Sequence, residues 1–282
     1  MKDKQIKKIV KEGYAKVAKQ DDSCCASASP CCGSTSLAQD ISRKIGYNEE
    51  ELKAVPEGAN LGLGCGNPVA LASLREGETV LDLGSGAGFD CFLAASRVGK
   101  TGRVIGVDMT PEMIEKAREN ARKGSYQNVE FRLGEIENLP VADDSVDVVI
   151  SNCVINLAPD KRTAFKEAFR VLKLGGRLMV SDVVLLKELP NVIQSSIEAY
   201  VACLSGAMLR DEYIGTIKTA RFQEVTVLDE TIFPVECLAN DPAARTIIKD
   251  LKISPEELQN VADSVVSIKI SAVKSTHCQP TI

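Results

Sequence analysis

The segment TVLDLGSGAGFD, residues 79–90, limits what this chain can fold into more than any other stretch. Thr79 to Leu83 is an apolar run of strand length. Gly84, Gly86 and Gly88 then alternate with small residues, and a helical pattern follows to about Arg97. Glycine accepts left-handed backbone and lets the chain pass close to a ligand. A strand, a Gly-rich turn and a helix in that order open the doubly wound nucleotide-binding folds. The rhythm continues through strands at 103–108, 129–133, 146–151 and 176–183, with Thr110 placed to cap a helix that begins at Pro111 and Glu112. A helix over 160–173 is expected to end at Gly175-Gly176.

Two further strands are expected near 222–228 and 265–273. The second alternates cleanly, as a strand near the sheet edge with one wetter face would. The expected architecture is α/β, a seven-stranded, mostly parallel sheet with helices on both faces. Ahead of the core, residues 1–20 read as a helix with Ile6, Ile9, Val10 and Val17 in one stripe. Residues 21–36, DDSCCASASPCCGSTS, form a loop or arm. Residues 37–53 return to a helical pattern, ending near Gly46, and 56–68 is a structured Gly/Pro loop. Ser254-Pro255-Glu256-Glu257 is a capping box for a short helix. The chain divides into 1–68 (helices, Cys-rich arm and GLGCG loop), 69–230 (nucleotide-binding core with acceptor-site helices) and 231–282, a segment completing the sheet.

A net charge of −5 argues against nucleic acid as a partner. No apolar run approaches the roughly 18 residues of a membrane span, and the basic start MKDKQIKKIV lacks the apolar core of a signal peptide, so a cytoplasmic protein is expected. There is one histidine, His277, and there are ten cysteines. A histidine base is therefore not expected. In a reducing compartment so many cysteines indicate metal binding or chemistry.

The dinucleotide fingerprint G-x-G-x-x-G/A would place its last glycine at Phe89. The spacing found, with Asp82 ahead of Gly84, Gly86 and Gly88, resembles instead the first motif of the class I S-adenosylmethionine methyltransferases. That resemblance implies S-adenosylmethionine as cofactor, with Asp108 and Met109 at the ribose. Gly134, Glu135 and Ile136 of RLGEIENLP would then lie beside the adenine, with Asn152 at the end of the fourth strand. Asp108 is also placed to cap the next helix.

Cys65 in GLGCGNP, Cys153 in SNCVINLAPDK and Cys203 in CLSGAM can reach the carboxyl edge of the sheet, where open α/β sheets bind ligands. Three thiolates there would form a soft site. Cys91, inside a helix, and Cys237 read as packing residues. With VLDLGSGAGFDCF and VIGVDMTPEMIEKA, these segments resemble an arsenite S-adenosylmethionine methyltransferase of the short prokaryotic type, over most of residues 1–230. The resemblance implies As(III) bound by Cys65, Cys153 and Cys203 as the catalytic cysteines, in an arsenic detoxification step. It also implies a redox role for an upstream cysteine, left open among Cys24, Cys25, Cys31 and Cys32. A thiol reductant, glutathione or thioredoxin, is the implied partner. The chain departs from longer members in lacking an extended C-terminal domain. The rival readings are a carbon or oxygen methyltransferase acting on quinone- or sterol-like molecules, and a soft-metal sequestration protein.

Overall fold

The computed structural model describes residues 3–19, 34–194, 196–201, 203–232 and 261–275. The proposed helix at Ser254 lies outside them. The strands are β1 (Thr79–Leu83), β2 (Arg103–Asp108), β3 (Val129–Leu133), β4 (Val146–Asn152), β5 (Leu172–Leu185), β6 (Gln223–Ile232) and β7 (Val265–Val273). They form one seven-stranded sheet in the order β3-β2-β1-β4-β5-β7-β6. The first five are parallel, while β7 runs antiparallel to both β5 and β6. The chain progresses outward from β1 in one direction and from β4 in the other. The β1/β4 junction is therefore the topological switch point, where such sheets open a ligand crevice.

Alternation along the strands divides the core in two, as a period-two backbone must when both faces are covered. Leu81, Leu83, Ile105, Val107, Leu178 and Val180 pack with Phe165 and Tyr213. Val80, Val104, Val148, Ile150 and Met179 pack with Phe92, Ala94 and Ile114 on the other face. That second face is covered by α5 (Phe89–Val98) and α6 (Pro111–Lys123), the first by α7 (Lys161–Val171) and α10 (Arg210–Thr219).

Four local readings change. The helical pattern of 37–53 is two helices, α2 (Ser34–Lys44) and α3 (Glu49–Ala54). They are parted at Gly46 with φ 108°, and α3 begins at an Asn48–Glu51 capping box. Helix α7 stops at Val171, and β5 begins at once with Leu172 rather than at Gly176. Lys274 explains the early stop: its buried ammonium donates to the carbonyls of Phe169 and Leu172, and Gly175 N–H donates to its carbonyl. Strand β7 lies one place in from the edge, and β6, with its alternating exposure, takes the edge itself. Thr110 precedes α6 but makes no side-chain cap. Its own N–H is bound by Asp108. Among the described residues no helix is long and apolar enough to cross a membrane.

Candidate active site

The carboxyl ends of β1, β2 and β4 open on a cavity enclosing about 1050 Å³ of space, including its mouth. Asp82, Gly84, Gly86, Asp108, Met109, Gly134, Ile136, Asn152 and Cys153 all line it. Asp108 closes the turn after β1: Oδ2 accepts from Gly86 N–H at 2.9 Å and Oδ1 from Thr110 N–H at 2.8 Å. Gly86 has φ 51° and open space where a Cβ would stand, so its backbone faces the cavity bare.

Two of the expected residues are absent from that lining. Gly88, at φ 95°, is the left-handed start of α5, and a Cβ there would come within 2.7 Å of Phe131. Its role is close helix–sheet packing. Glu135 is absent from the lining and pairs with Lys7 and Lys11 of α1 (Asp3–Lys19). Helix α1 itself supplies Lys7, Val10 and Tyr14 to the lining, and Lys7 also holds Glu137 at 3.0 Å.

Several lining residues went unread in the sequence. Asp90 lies within the glycine motif and could have been found there. Ser85 lies within it too, whereas Tyr47 and Asn60 carry no local signal. The Tyr47 hydroxyl donates to Asp90 Oδ1 at 2.6 Å, and Asn152 Nδ2 lies 3.0 Å from Asp90 Oδ2. Burial pushes the Asp90 carboxyl up to about 6. Burial, with Asp90 as a like-charged neighbour, raises Asp82 further from its ordinary range, and burial also raises Asp108. Among the described residues none of these three carboxylates has an ion-pair partner, and Ser85 Oγ is buried without a hydrogen bond. Buried carboxylates lacking a counter-ion and an orphaned hydroxyl fit a cationic, hydroxyl-bearing ligand such as S-adenosylmethionine.

The cysteines meet beside this cavity. Cys65 and Cys153 are joined as a disulfide, their Cα atoms 5.8 Å apart. The loop carrying Cys65 is pinned, not loose. Cys65 N–H donates to Asn152 Oδ1 at 3.0 Å, and Ser267 Oγ donates to its carbonyl at 2.7 Å. The flanking glycines make that approach feasible: a Cβ on Gly64 would stand 2.8 Å from Asn152, and one on Gly66 would collide with Ser181. Cys153 follows β4 at φ 56° with its N–H on the Ser181 carbonyl. Cys203, at φ 62°, is buried against Val10 and Leu157. Left-handed backbone at a non-glycine residue costs on the order of 1–3 kcal/mol and clusters at functional sites.

The three sulfurs do not converge on one point. Cys203 Sγ lies 3.3 Å from the Cys153 carbonyl oxygen, one peptide removed from the Cys65–Cys153 pair. The group drawn close to that pair is a carboxylate, Asp182 of β5. Cys91 is fully buried on α5 and its thiol donates to Asp82 Oδ2 at 3.2 Å. Cys24, Cys25, Cys31, Cys32 and Cys237 lie outside the described residues.

The sequence from 74 to 229 matches a methyltransferase domain family. An arsenite methyltransferase of Halobacterium salinarum is 49% identical over 79% of this chain and 59% of its own length. The human arsenite methyltransferase is 37% identical over 74% of this chain and 56% of its own length. This chain thus spans a little over half of the curated relatives it matches. The crystal structure of an arsenic(III) S-adenosylmethionine methyltransferase from Chlamydomonas reinhardtii superposes with a TM-score of 0.63 and 32% identity. That likeness covers 84% of this chain and 74% of the other.

Proposed function

Because this chain belongs to the methyltransferase family and, within it, with the arsenite methyltransferases, we propose that it transfers the methyl group of S-adenosylmethionine to trivalent arsenic held by cysteine thiolates. The observation that carries this reading is the Cys65–Cys153 pair, whose Cys153 lines a cavity with buried carboxylates that have no salt bridge among the described residues. Bound there, S-adenosylmethionine supplies a methyl carbon made electrophilic by its sulfonium. Asp82 and Asp90 offer the negative charge that holds the ligand's cationic end, and Asp108 and the bare Gly86 backbone serve its ribose side.

The disulfide is first reduced by two electrons from a thiol partner of the glutathione or thioredoxin class, giving two free thiols. The thiols then displace hydroxyl groups from arsenite, and their protons leave with the hydroxyls as water. Cys203, beside the Cys153 peptide, is the third ligand once its side chain turns toward the pair. Trivalent arsenic keeps a lone pair that forms the As–C bond as the C–S bond breaks, so no proton leaves the acceptor. Arsenic has then given up two electrons, and the same class of thiol restores the trivalent state. The chain's own contribution is alignment, worth several kcal/mol in well-oriented reactions. The upstream cysteines, Cys24, Cys25, Cys31 or Cys32, serve in that reduction, and the reaction belongs in the cytoplasm, where thiols stay reduced.

The test is arsenite titration and methyl transfer with Cys65→Ser, Cys153→Ser and Cys203→Ser. Each variant is expected to lose methylation of inorganic arsenite while cofactor affinity stays near that of the parent. Monomethylated As(III) has one position filled by carbon. The Cys65 variant should therefore still methylate it, because Cys153 and Cys203 remain adjacent. Methylation of arsenite by all three variants at the parent rate would show that these thiolates do not hold the acceptor, whereas no methylation of arsenite by the reduced parent would point to an organic acceptor.

A further inference from the structure

Asp182 has no part in the chemistry above, yet its carboxylate stands within 4.8 Å of both the Cys65 and Cys153 sulfurs, and those sulfurs lie within the same distance of each other. Asp182 is completely buried. Its Oδ1 accepts from Asn156 Nδ2 and from its neighbour Val183 N–H, each at 2.9 Å, and Oδ2 accepts from the Tyr213 hydroxyl at 3.0 Å. Three donors fix the carboxylate's position and still leave it lone pairs. No salt bridge reaches it among the described residues. The Lys161 ammonium is close enough to favour the charged carboxylate, and two thiolates beside it would add negative charge that one ammonium does not balance.

We infer that the reduced Cys65–Cys153 pair and Asp182 form a binding site for a thiophilic divalent cation of the zinc class, in competition with trivalent arsenic. Zinc takes thiolate sulfur at about 2.3 Å and carboxylate oxygen at about 2.0–2.2 Å, so ligand atoms on one tetrahedral ion sit roughly 3.3–3.8 Å apart. The three groups lie within 4.8 Å of one another, and reduction of the disulfide frees the two sulfurs to separate toward that spacing. Two sulfurs and one oxygen, with the fourth position open to water, are a borderline-soft set that suits zinc or cadmium over calcium or magnesium. Hydrogen bonds fixing a ligating carboxylate are the usual outer support of such sites. Trivalent arsenic instead favours sulfur, so it draws on Cys203 where the divalent ion draws on Asp182. The two occupants share two thiolates and exclude one another. The site does not depend on arsenic being the substrate.

Formation of the site requires reduction. A phosphine takes the disulfide to two thiols, itself becoming the oxide with oxygen from water, and cation binding then releases thiol protons to solvent. The experiment uses the full chain with Cys24, Cys25, Cys31, Cys32, Cys237 and Cys278 changed to Ser, reduced by phosphine, and titrated with Zn2+ and Cd2+. One ion per chain is expected, with a thiolate-to-cadmium charge-transfer band that is lost in Cys65→Ser and Cys153→Ser. Asp182→Asn should weaken Zn2+ at least tenfold and leave arsenite affinity within twofold, whereas Cys203→Ser should do the reverse. Zn2+ should also raise the apparent Kd of arsenite. Cadmium NMR on the chain with Asp182 intact should report two sulfurs and oxygen, so the assignment does not hang on how well the Asn variant folds. Zinc binding unaltered by Asp182→Asn, a three-sulfur cadmium spectrum, or the absence of Zn2+ binding in the reduced chain would overturn it. Failure of arsenite alone to bind would count against the arsenic reading and not against this one.

Discussion

Asp90 illustrates how a single buried group links the cavity to pH. Its carboxyl is pushed up to about 6, chiefly by burial, although Tyr47 and Asn152 favour the charged form. A carboxyl whose pKa rises on folding holds its proton more tightly in the native state. That contribution to stability is full below the unfolded value of about 4 and is lost as pH rises through about 6. A cationic cofactor favours the ionised form, so it must expel a proton when it binds below that pH. Affinity for S-adenosylmethionine is therefore expected to fall by up to roughly tenfold per unit as pH drops below about 6. The same titration in Asp90→Asn should be much flatter. Calorimetry in buffers of different ionisation enthalpy would detect the proton uptake by the buffer, and an equal slope in parent and variant would remove Asp90 from the role. Residues of this kind differ in how far sequence discloses them. Asp82 is legible because it stands just ahead of the glycine turn, Asp108 because it ends the second strand, and Cys153 because it follows the strand at the switch point. Tyr47 and Asp182 become site residues only through tertiary placement: one arrives from a loop after α2, the other sits inside a strand, and neither position carries a local pattern.

At the scale of elements, α1 closes the cavity. It buries Val10 against Leu157 and Cys203, places Lys7, Val10 and Tyr14 on the lining, and is latched by Lys7 to Glu135 at 2.7 Å and to Glu137 at 3.0 Å. Lys19 pairs with Glu112 on α6 at 3.0 Å. Partly exposed ion pairs contribute about 0–1 kcal/mol each and weaken with salt. Lys7→Met keeps the aliphatic stem and removes both pairs from one residue. Release of S-adenosylmethionine is expected to quicken by roughly three- to tenfold in that variant, the counterpart of about 0.7–1.4 kcal/mol. Its rate should also lose most of the parent's dependence on salt. Stopped-flow displacement measures both, and an unchanged rate would make α1 a bystander. The amphipathic stripe of α1 was readable in Ile6, Ile9, Val10 and Val17, but the surface it covers was not, since periodicity gives a face and no partner. The same limit explains β5: the Gly175-Gly176 pair looks like a helix end, yet Lys274, distant in sequence, ends α7 earlier and leaves the glycines inside the strand.

For the whole molecule, the doubly wound order was legible because it repeats a local alternation of strand and helix. The antiparallel pair at the far edge was legible only as two strands, since their order depends on pairing across the sheet. What unites the halves is Asn152, at the end of β4 on the switch point. Its Oδ1 accepts from Cys65 N–H, and its Nδ2 lies within 3.0 Å of the Gly66 carbonyl, the Tyr47 hydroxyl and Asp90. One side-chain amide thus spans the cysteine loop and the acidic wall of the cavity. An amide has two N–H groups for those three acceptors. Ligand at Asp90 therefore changes how firmly the amide holds Gly66, and with it the setting of Cys65. Coupling between two sites is reciprocal, so under the proposed function arsenite alters S-adenosylmethionine affinity by the same factor that S-adenosylmethionine alters arsenite affinity. A factor of roughly 5–20 is expected for the reduced parent, within the usual range of such couplings. Asn152→Ala should bring that factor close to one, beyond any weakening of either ligand alone. The four binding constants of the cycle, measured for parent and variant by calorimetry under a phosphine reductant, decide the matter. A variant that keeps the parent's coupling while losing affinity for both ligands would show that Asn152 supports each site separately, and that communication between them runs through another part of the sheet edge.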